Sequence, residues 1–263
     1  MRTRWSICLL VLFVAGCGRR PVPETSITDF HDGETLLSAL RLQSEPVEAY
    51  QARLFLVFEG GYLNEDRLRI NGEMAAAWPD RLRMIGAYGA FKKVFDLSVE
   101  DGDFQIYDNR ANVVYVGPAD SWSAAADLGL ALRPSDLFRV LRIGGEGPLT
   151  GALVESVTSG SDSLEITFRP NRDGRRWRAV YETRSLRPSR MWRATAGVTD
   201  LVVRYDRYGE VEGRWVPKRV TVVRPLRDER LDIEVRSIRF KEDLPEGAFE
   251  YEPPEDAETV MLH

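Results

Sequence analysis

The apolar and polar positions change period several times along the chain. In "ETLLSALRLQSEP" (34–46), Leu36, Leu37 and Leu40 fall at i, i+1 and i+4, and the pattern stops before Pro46. That is the period of an amphipathic helix, and it predicts one over about 33–44. From about 50 to 117 the period becomes two. "AYQARLFLVFEG" is rich in apolar and aromatic residues. "DRLRINGEM" sets Leu68 and Ile70 against Arg67 and Arg69, and "DRLRMIGAYG" sets Leu82 and Met84 against Arg81 and Arg83. Phe91, Phe95, Leu97 and Val99 then share a face, and Phe104 and Ile106 continue it, with turns at "EDGD" (100–103) and "DNRAN" (108–112).

Residues 119–147 break the strand pattern and predict two short helical pieces. In the second, Ser135 or Asp136 serves as cap, Leu137, Phe138 and Leu141 form an apolar stripe, and Gly144-Gly145 ends it. Strand patterns resume to about residue 240, with turns at "RDG" (172–174) and "YGEVEG" (208–213). Apolar parity shifts near Arg236–Ile238, which predicts a bulge. The acidic, proline-rich tail "EDLPEGAFEYEPPEDAETVMLH" reads as an extended strap. The expected fold class is therefore mainly β (α+β). About eleven strands would form a single curved antiparallel sheet, an unclosed β-barrel with helices covering the open mouth.

The first residues follow a different logic. Arg2 and Arg4 precede an apolar run, Trp5–Val14, and small residues lead up to Cys17. This is the layout of a secretory signal. The run is too short for a transmembrane helix of about 20 residues. Val14-Ala15-Gly16-Cys17 resembles the bacterial lipobox, with valine where leucine is commoner. The resemblance implies cleavage before Cys17, a diacylglycerol on its sulfur and an acyl chain such as palmitate on its new amino group. Two or more chains hold a protein stably at a membrane. Gly18 follows the cysteine, where aspartate in enterobacterial lipoproteins favours inner-membrane retention. The likeness thus implies the outer membrane, facing the periplasm, in a host that has one. The expected division is 1–16 signal peptide, 17–32 lipidated N-terminus and tether, 33–250 one domain and 251–263 acidic tail.

Composition narrows the chemistry. The formal charge of −5 over 263 residues becomes about −7 once Arg2 and Arg4 are removed, so nucleic acid is a poor partner. The arginines of "RLRI" and "RLRM" alternate with apolar residues, which places them on the wet face of strands. Of the two cysteines, Cys8 leaves with the signal and Cys17 is lipidated, so no disulfide is expected. The two histidines, His31 and His263, sit on no regular element and offer no catalytic triad. Metal spacings and a phosphate-cradling GxxxxGK[ST] are absent, and "GGEG" (144–147) reads as a helix end. Asp206, Glu210 and Glu212 cluster, but at a hairpin tip, where they read as a solvated turn and not as a glycosidase pair. The expectation is a non-enzymatic protein with no cofactor and no metal. Phe55, Phe58, Phe91, Phe95, Phe104, Phe168 and Trp192 either fill a core or line a partly open apolar cavity.

The run "PDRLRMIGAYGAFKKVFDLSVEDGDFQIYDNRANVVYVGP" (79–118), then "RPSDLFRVL", "GRWVPKRVTV" and "LDIEVRSIRF", resembles the LolA/LolB-like lipoprotein-carrier superfamily. The likeness spans most of 33–250 and is closer to the superfamily's lipoproteins than to LolA, which is soluble and unlipidated. It implies an unclosed barrel with a helical lid, and a lipid or acyl moiety bound in the concave face. By strand parity, Leu68, Ile70, Leu82, Met84, Phe95 and Leu97 would line that face, with Leu137, Phe138 and Leu141 closing over them. The other reading is an envelope assembly or scaffold protein that binds protein partners and has a fully packed interior. A cavity of several hundred Å³ would favour the carrier.

Overall fold

The computed structural model describes residues 38, 40, 47–60, 66–89, 92–121, 133–141, 153–170, 174–245 and 247–262, with Phe138 and Arg139 as backbone alone. The signal peptide, Cys17, the tether, Phe91, both histidines, the first helical piece and Gly144-Gly145 lie outside the described residues. Of the helix expected over 33–44, Ser38 and Leu40 are described, both helical.

The chain forms two meanders. The first is β1 (Ala49–Glu59), β2 (Arg67–Ala77), β3 (Arg81–Tyr88), β4 (Lys92–Glu100), β5 (Asp103–Asp108) and β6 (Val113–Pro118). A seven-residue helix, α1 (Pro134–Val140), follows it. The second meander is β7 (Val154–Ser159), β8 (Ser163–Phe168), β9 (Arg175–Glu182), β10 (Pro188–Thr195), β11 (Val198–Val211), β12 (Arg214–Arg224) and β13 (Glu229–Lys241), and β14 (Glu258–Met261) ends the chain. β1 pairs with β13 and joins the meanders into one unclosed, curved sheet of 14 strands, ordered β14-β6-β5-β4-β3-β2-β1-β13-β12-β11-β10-β9-β8-β7.

The fold is mainly β, as the alternation predicted, but the strand count is a correction. β7 carries only Val154 and Val157 as apolar residues and is exposed at the sheet edge. β14 has four residues and no alternation. Neither leaves a periodic signal. β14 also pairs with β6 in parallel, so the sheet is not wholly antiparallel.

Where one face is buried, parity is kept. β2 alternates exposed arginines with buried Leu68, Ile70 and Met74. The β1–β13 ladder jumps from Arg53↔Ser237 to Leu54↔Val235, leaving Arg236 as the extra residue of a bulge. This is where the apolar parity shifts. The β11–β12 turn is tighter than the span 208–213. Tyr208–Val211 stay in the ladder, and only Glu212 and Gly213 turn, at φ of 51° and 78°. A two-residue loop with both φ positive matches the strand twist.

α1 starts at Pro134, whose fixed φ and missing N–H suit a first helical turn. Ser135 and Asp136 are therefore inside the helix and do not cap it.

Inner-face residues of both meanders form a single apolar cluster, which α1 joins through Leu137 and Val140, with Leu141 directly after it. Packing is tight at Gly86. A Cβ there would lie 2.4 Å from Phe95 Cε1 and 2.7 Å from Ile70 Cδ1, so the missing side chain makes room for both. We expect Gly86→Ala to destabilise the fold by about 1–3 kcal/mol through overpacking. Equilibrium denaturation at unchanged slope checks this, and an unchanged midpoint contradicts it.

The tail closes the outer face of the first meander. Leu244 and Phe249 pack on Ala49 and Ala77, the Arg81 guanidinium lies 4.8 Å from the Phe249 ring centre, and Tyr251 stacks on Tyr107. The strap thus buries the second face of β4, where Asp96 and Ser98 would otherwise meet water. It ends as a strand on β6.

Candidate ligand-binding face

The structure brings the strand residues predicted for the concave side together. Leu68, Ile70, Leu82, Met84, Phe95 and Leu97 are all buried on the inner face. Met84 stands between Met74 and Leu97, and Leu82 between Ala76 and Val99. Phe95 meets Phe58 edge to face at 6.4 Å between centroids. Leu137 and Leu141 are buried in the same cluster, whereas the Phe138 side chain lies outside the described residues. Sequence reasoning left out the second meander's share, including Ile166, Met191, Val203 and Val222, all buried in the same cluster. The alternation of "SLEITF" and "LVVRY" carried that signal.

The interior beside α1 is close-packed. Tyr50, Val140, Leu141, Val216 and Val220 line a gap of about 10 Å³. That is room for roughly one water, against roughly 300–1,000 Å³ for ligand pockets. The Tyr50 hydroxyl donates to the Leu141 carbonyl at 2.8 Å, tying β1 to the end of α1. Burial raises the Tyr50 pKa well beyond the usual phenol range, so it remains a donor.

A buried charge cluster, not foreseen from the sequence, fixes the start of α1. Asp136 accepts hydrogen bonds from Arg133 at 2.7 and 2.8 Å and from Arg193 Nη1 at 2.9 Å. Arg193, an inner-face residue of β10, also donates to Asp200 at 2.9 Å and lies 5.5 Å from the Trp177 ring centre. Asp136 and Arg193 are 1% and 0% exposed, so the pair is fully out of water. Burial alone would raise the Asp136 pKa, but the Arg133 hydrogen bond and the Arg193 and Arg133 charges outweigh it, and the carboxyl sits below its ordinary 3.8. Nearby, Arg224 and Glu229 pair at 2.9 Å.

One wet-face expectation needs correction. Arg83 points outward, but it is not a free surface charge. It pairs at 3.0 Å with Asp96, which is wholly buried and also bound by Lys93 at 2.8 Å. Arg83 also donates to the Glu250 carbonyl of the strap. The carboxylates Asp206 and Glu210 lie along β11 opposite Arg219 and Trp215, and Glu212 is in the turn. Among the described residues, no three His, Cys, Asp or Glu are grouped to hold a metal. Among them too, no helix is long and apolar enough to cross a membrane.

No protein-family profile matches the sequence, and no curated protein matches it. Solved structures do match the fold. A DUF1329 family protein from Desulfovibrio piger aligns with a TM-score of 0.62 at 13% identity, over 82% of this chain and 95% of that one. A LolA superfamily protein from Nitrosomonas europaea gives 0.59 at 11% identity, over 83% and 97%. A Vibrio parahaemolyticus domain named for outer membrane lipoprotein sorting gives 0.54 at 9% identity, over 81% and 94%. With its single unclosed sheet and apolar inner face, the chain has a LolA/LolB-like fold.

Proposed function

We propose that this chain is a lipid-anchored envelope lipoprotein that binds or transfers a hydrophobic ligand on the inner face of its sheet. The observation that carries this is the apolar inner face itself, to which strands of both meanders contribute buried side chains. A sheet left unclosed keeps a route to that face. The likeness to proteins named for LolA and for lipoprotein sorting supports the same class of work. The ligand is a lipid or acyl moiety, held by burial of apolar surface at roughly 25 cal/mol per Å². α1 acts as the cover, and its displacement makes the room that the gap beside it lacks. No catalysis, cofactor or metal is involved.

The anchor is Cys17. A Cys17→Ser variant is expected to leave the membrane fraction. A wild-type mass spectrum with the 16–17 bond intact, or with a bare Cys17 thiol, would contradict lipidation. Wild-type protein is expected with outer-membrane markers, and fractionation with inner-membrane markers alone would contradict that placement.

A second reading is favoured by the packed gap of about 10 Å³ beside α1: an envelope scaffold that binds protein partners and no lipid. Titration with a fluorescent fatty-acyl probe separates the two. Saturable binding that unlabelled fatty acid competes away supports the carrier, and its absence supports the scaffold.

A further inference from the structure

A ligand-sized space lies on the opposite side of the sheet. A cleft of about 490 Å³ opens on the outer face where β13, β1, β2 and β3 meet the strap at Ala248. Its floor is two rows of side chains in register. Arg239, Gln51, Ala75 and Arg83 form one, and Ser237, Arg53, Glu73 and Ile85 the other. The bulge at Arg236 falls beside these rows and brings Ser237 and Arg239 onto the outer face with Gln51 and Arg53.

The β13–β1 end has the composition of an anion cradle. Arg239 and Arg53 occupy diagonal corners of a square, and the hydrogen-bond donors Gln51 and Ser237 occupy the others. Sheet geometry spaces neighbouring corners by roughly 5–7 Å, within reach of one anion at the centre. Arg53 is solvated, 76% exposed, with a loose 3.8 Å contact to Glu73. Glu73, beside Arg53, repels an anion from the β2 side and favours the β13 side. Arg83 is excluded from the cradle, because Asp96 and the strap already hold it. Toward β3 and the strap, Ala75, Ile85 and Ala248 add apolar surface beside the already engaged Arg83.

We infer that this outer cleft binds a phosphate-bearing amphiphile, its head between Arg53 and Arg239 and its stem over Ala75, Ile85 and Ala248. The site is separate from the inner face and does not depend on ligand binding there. Bidentate guanidinium–phosphate pairing suits arginine at both corners. The cleft volume suits a short-chain phospholipid or the head region of a longer one.

Isothermal titration of the purified full chain in nonionic detergent tests this with dihexanoyl phosphatidate, inorganic phosphate and uncharged dihexanoylglycerol. One saturable site for the phosphatidate is expected, with no binding of dihexanoylglycerol. Arg53→Gln and Arg239→Gln should each weaken it at least tenfold. Arg204→Gln removes another exposed outer-face charge, on β11, and should leave it unchanged. Circular dichroism confirms the fold of each variant. A fluorescent fatty-acyl probe should not compete, which separates this site from the inner face. If inorganic phosphate binds as tightly with the same variant pattern, the source is a free anion and the lipid stem is overturned. No saturable binding, or equal loss in all three variants, overturns the site.

Discussion

Replacing Asp136 with alanine is expected to cost about 3–5 kcal/mol of folding stability. For a domain of this size that lowers the thermal midpoint by roughly 6–20 °C. The substitution removes the acceptor shared by Arg133 and Arg193 and leaves two like charges out of water. Asp200 still pairs with Arg193, but its oxygens also serve Thr195, so it does not replace the lost carboxylate. The double variant Asp136→Leu/Arg193→Met should recover part of the loss, because apolar groups in such a place carry no desolvation penalty. The pH dependence has a definite sign. The folded pKa of Asp136 lies below the unfolded 3.8, so its contribution is fully present above about pH 4 and is lost as pH falls through the lowered folded value. The stability difference between wild type and Asp136→Asn should therefore be flat near neutral pH and shrink in acid. Denaturant titrations across pH measure this. A loss under about 1 kcal/mol for Asp136→Ala would show that the cluster does not hold α1.

Leu82→Glu is expected to abolish binding of a fluorescent fatty-acyl probe. Leu82 is fully buried between Ala76 and Val99, and a carboxylate there takes its charge into the apolar inner face. Such a charge can also unfold the sheet, so Met84→Gln provides a second readout with a neutral side chain of similar length. It should weaken probe binding at least tenfold with the fold intact by circular dichroism. The outer-face control is Arg69→Glu, opposite exposed-side Val57 on β1, which should bind as wild type. Arg83→Glu is unsuitable as a control despite its outward direction. It would set a second carboxylate beside buried Asp96 and break the strap contact. Equal probe binding by Met84→Gln and wild type would remove the inner face from the binding site.

Much of the first meander was legible because each strand has one wet and one dry face. A period of two in "RLRI" and "RLRM" fixes which residues point inward, and the ladder then sets them side by side. The bulge at Arg236 was legible for the same reason, since a skipped residue reverses parity. Three features were hidden, each for a physical cause. β7 and β14 lie at sheet edges and need no apolar face, so their sequences carry no alternation. The Asp136–Arg193 contact joins residues 57 apart, and arginine on a strand reads as solvent-facing until a helix is seen above it. Asp96 reads as an exposed strand position, and only the returning strap buries it. The role of Arg83 was misread for the same reason. The helix after β6 was legible in its buried face, since Leu137 and Leu141 of its apolar stripe join the core, but not in its start, which Pro134 sets ahead of Ser135 and Asp136.

The central claim is that an acyl ligand sits on the inner face of the sheet, and photo-crosslinking measures this directly. A diazirine-bearing fatty acid, bound to the full-length protein and irradiated, is mapped by peptide mass spectrometry. The account predicts crosslinks, suppressed by excess unlabelled fatty acid, at inner-face positions such as Leu68, Ile70, Leu82, Met84, Phe95 and Leu97. Crosslinks confined to the outer face, or none that unlabelled fatty acid suppresses, would contradict it.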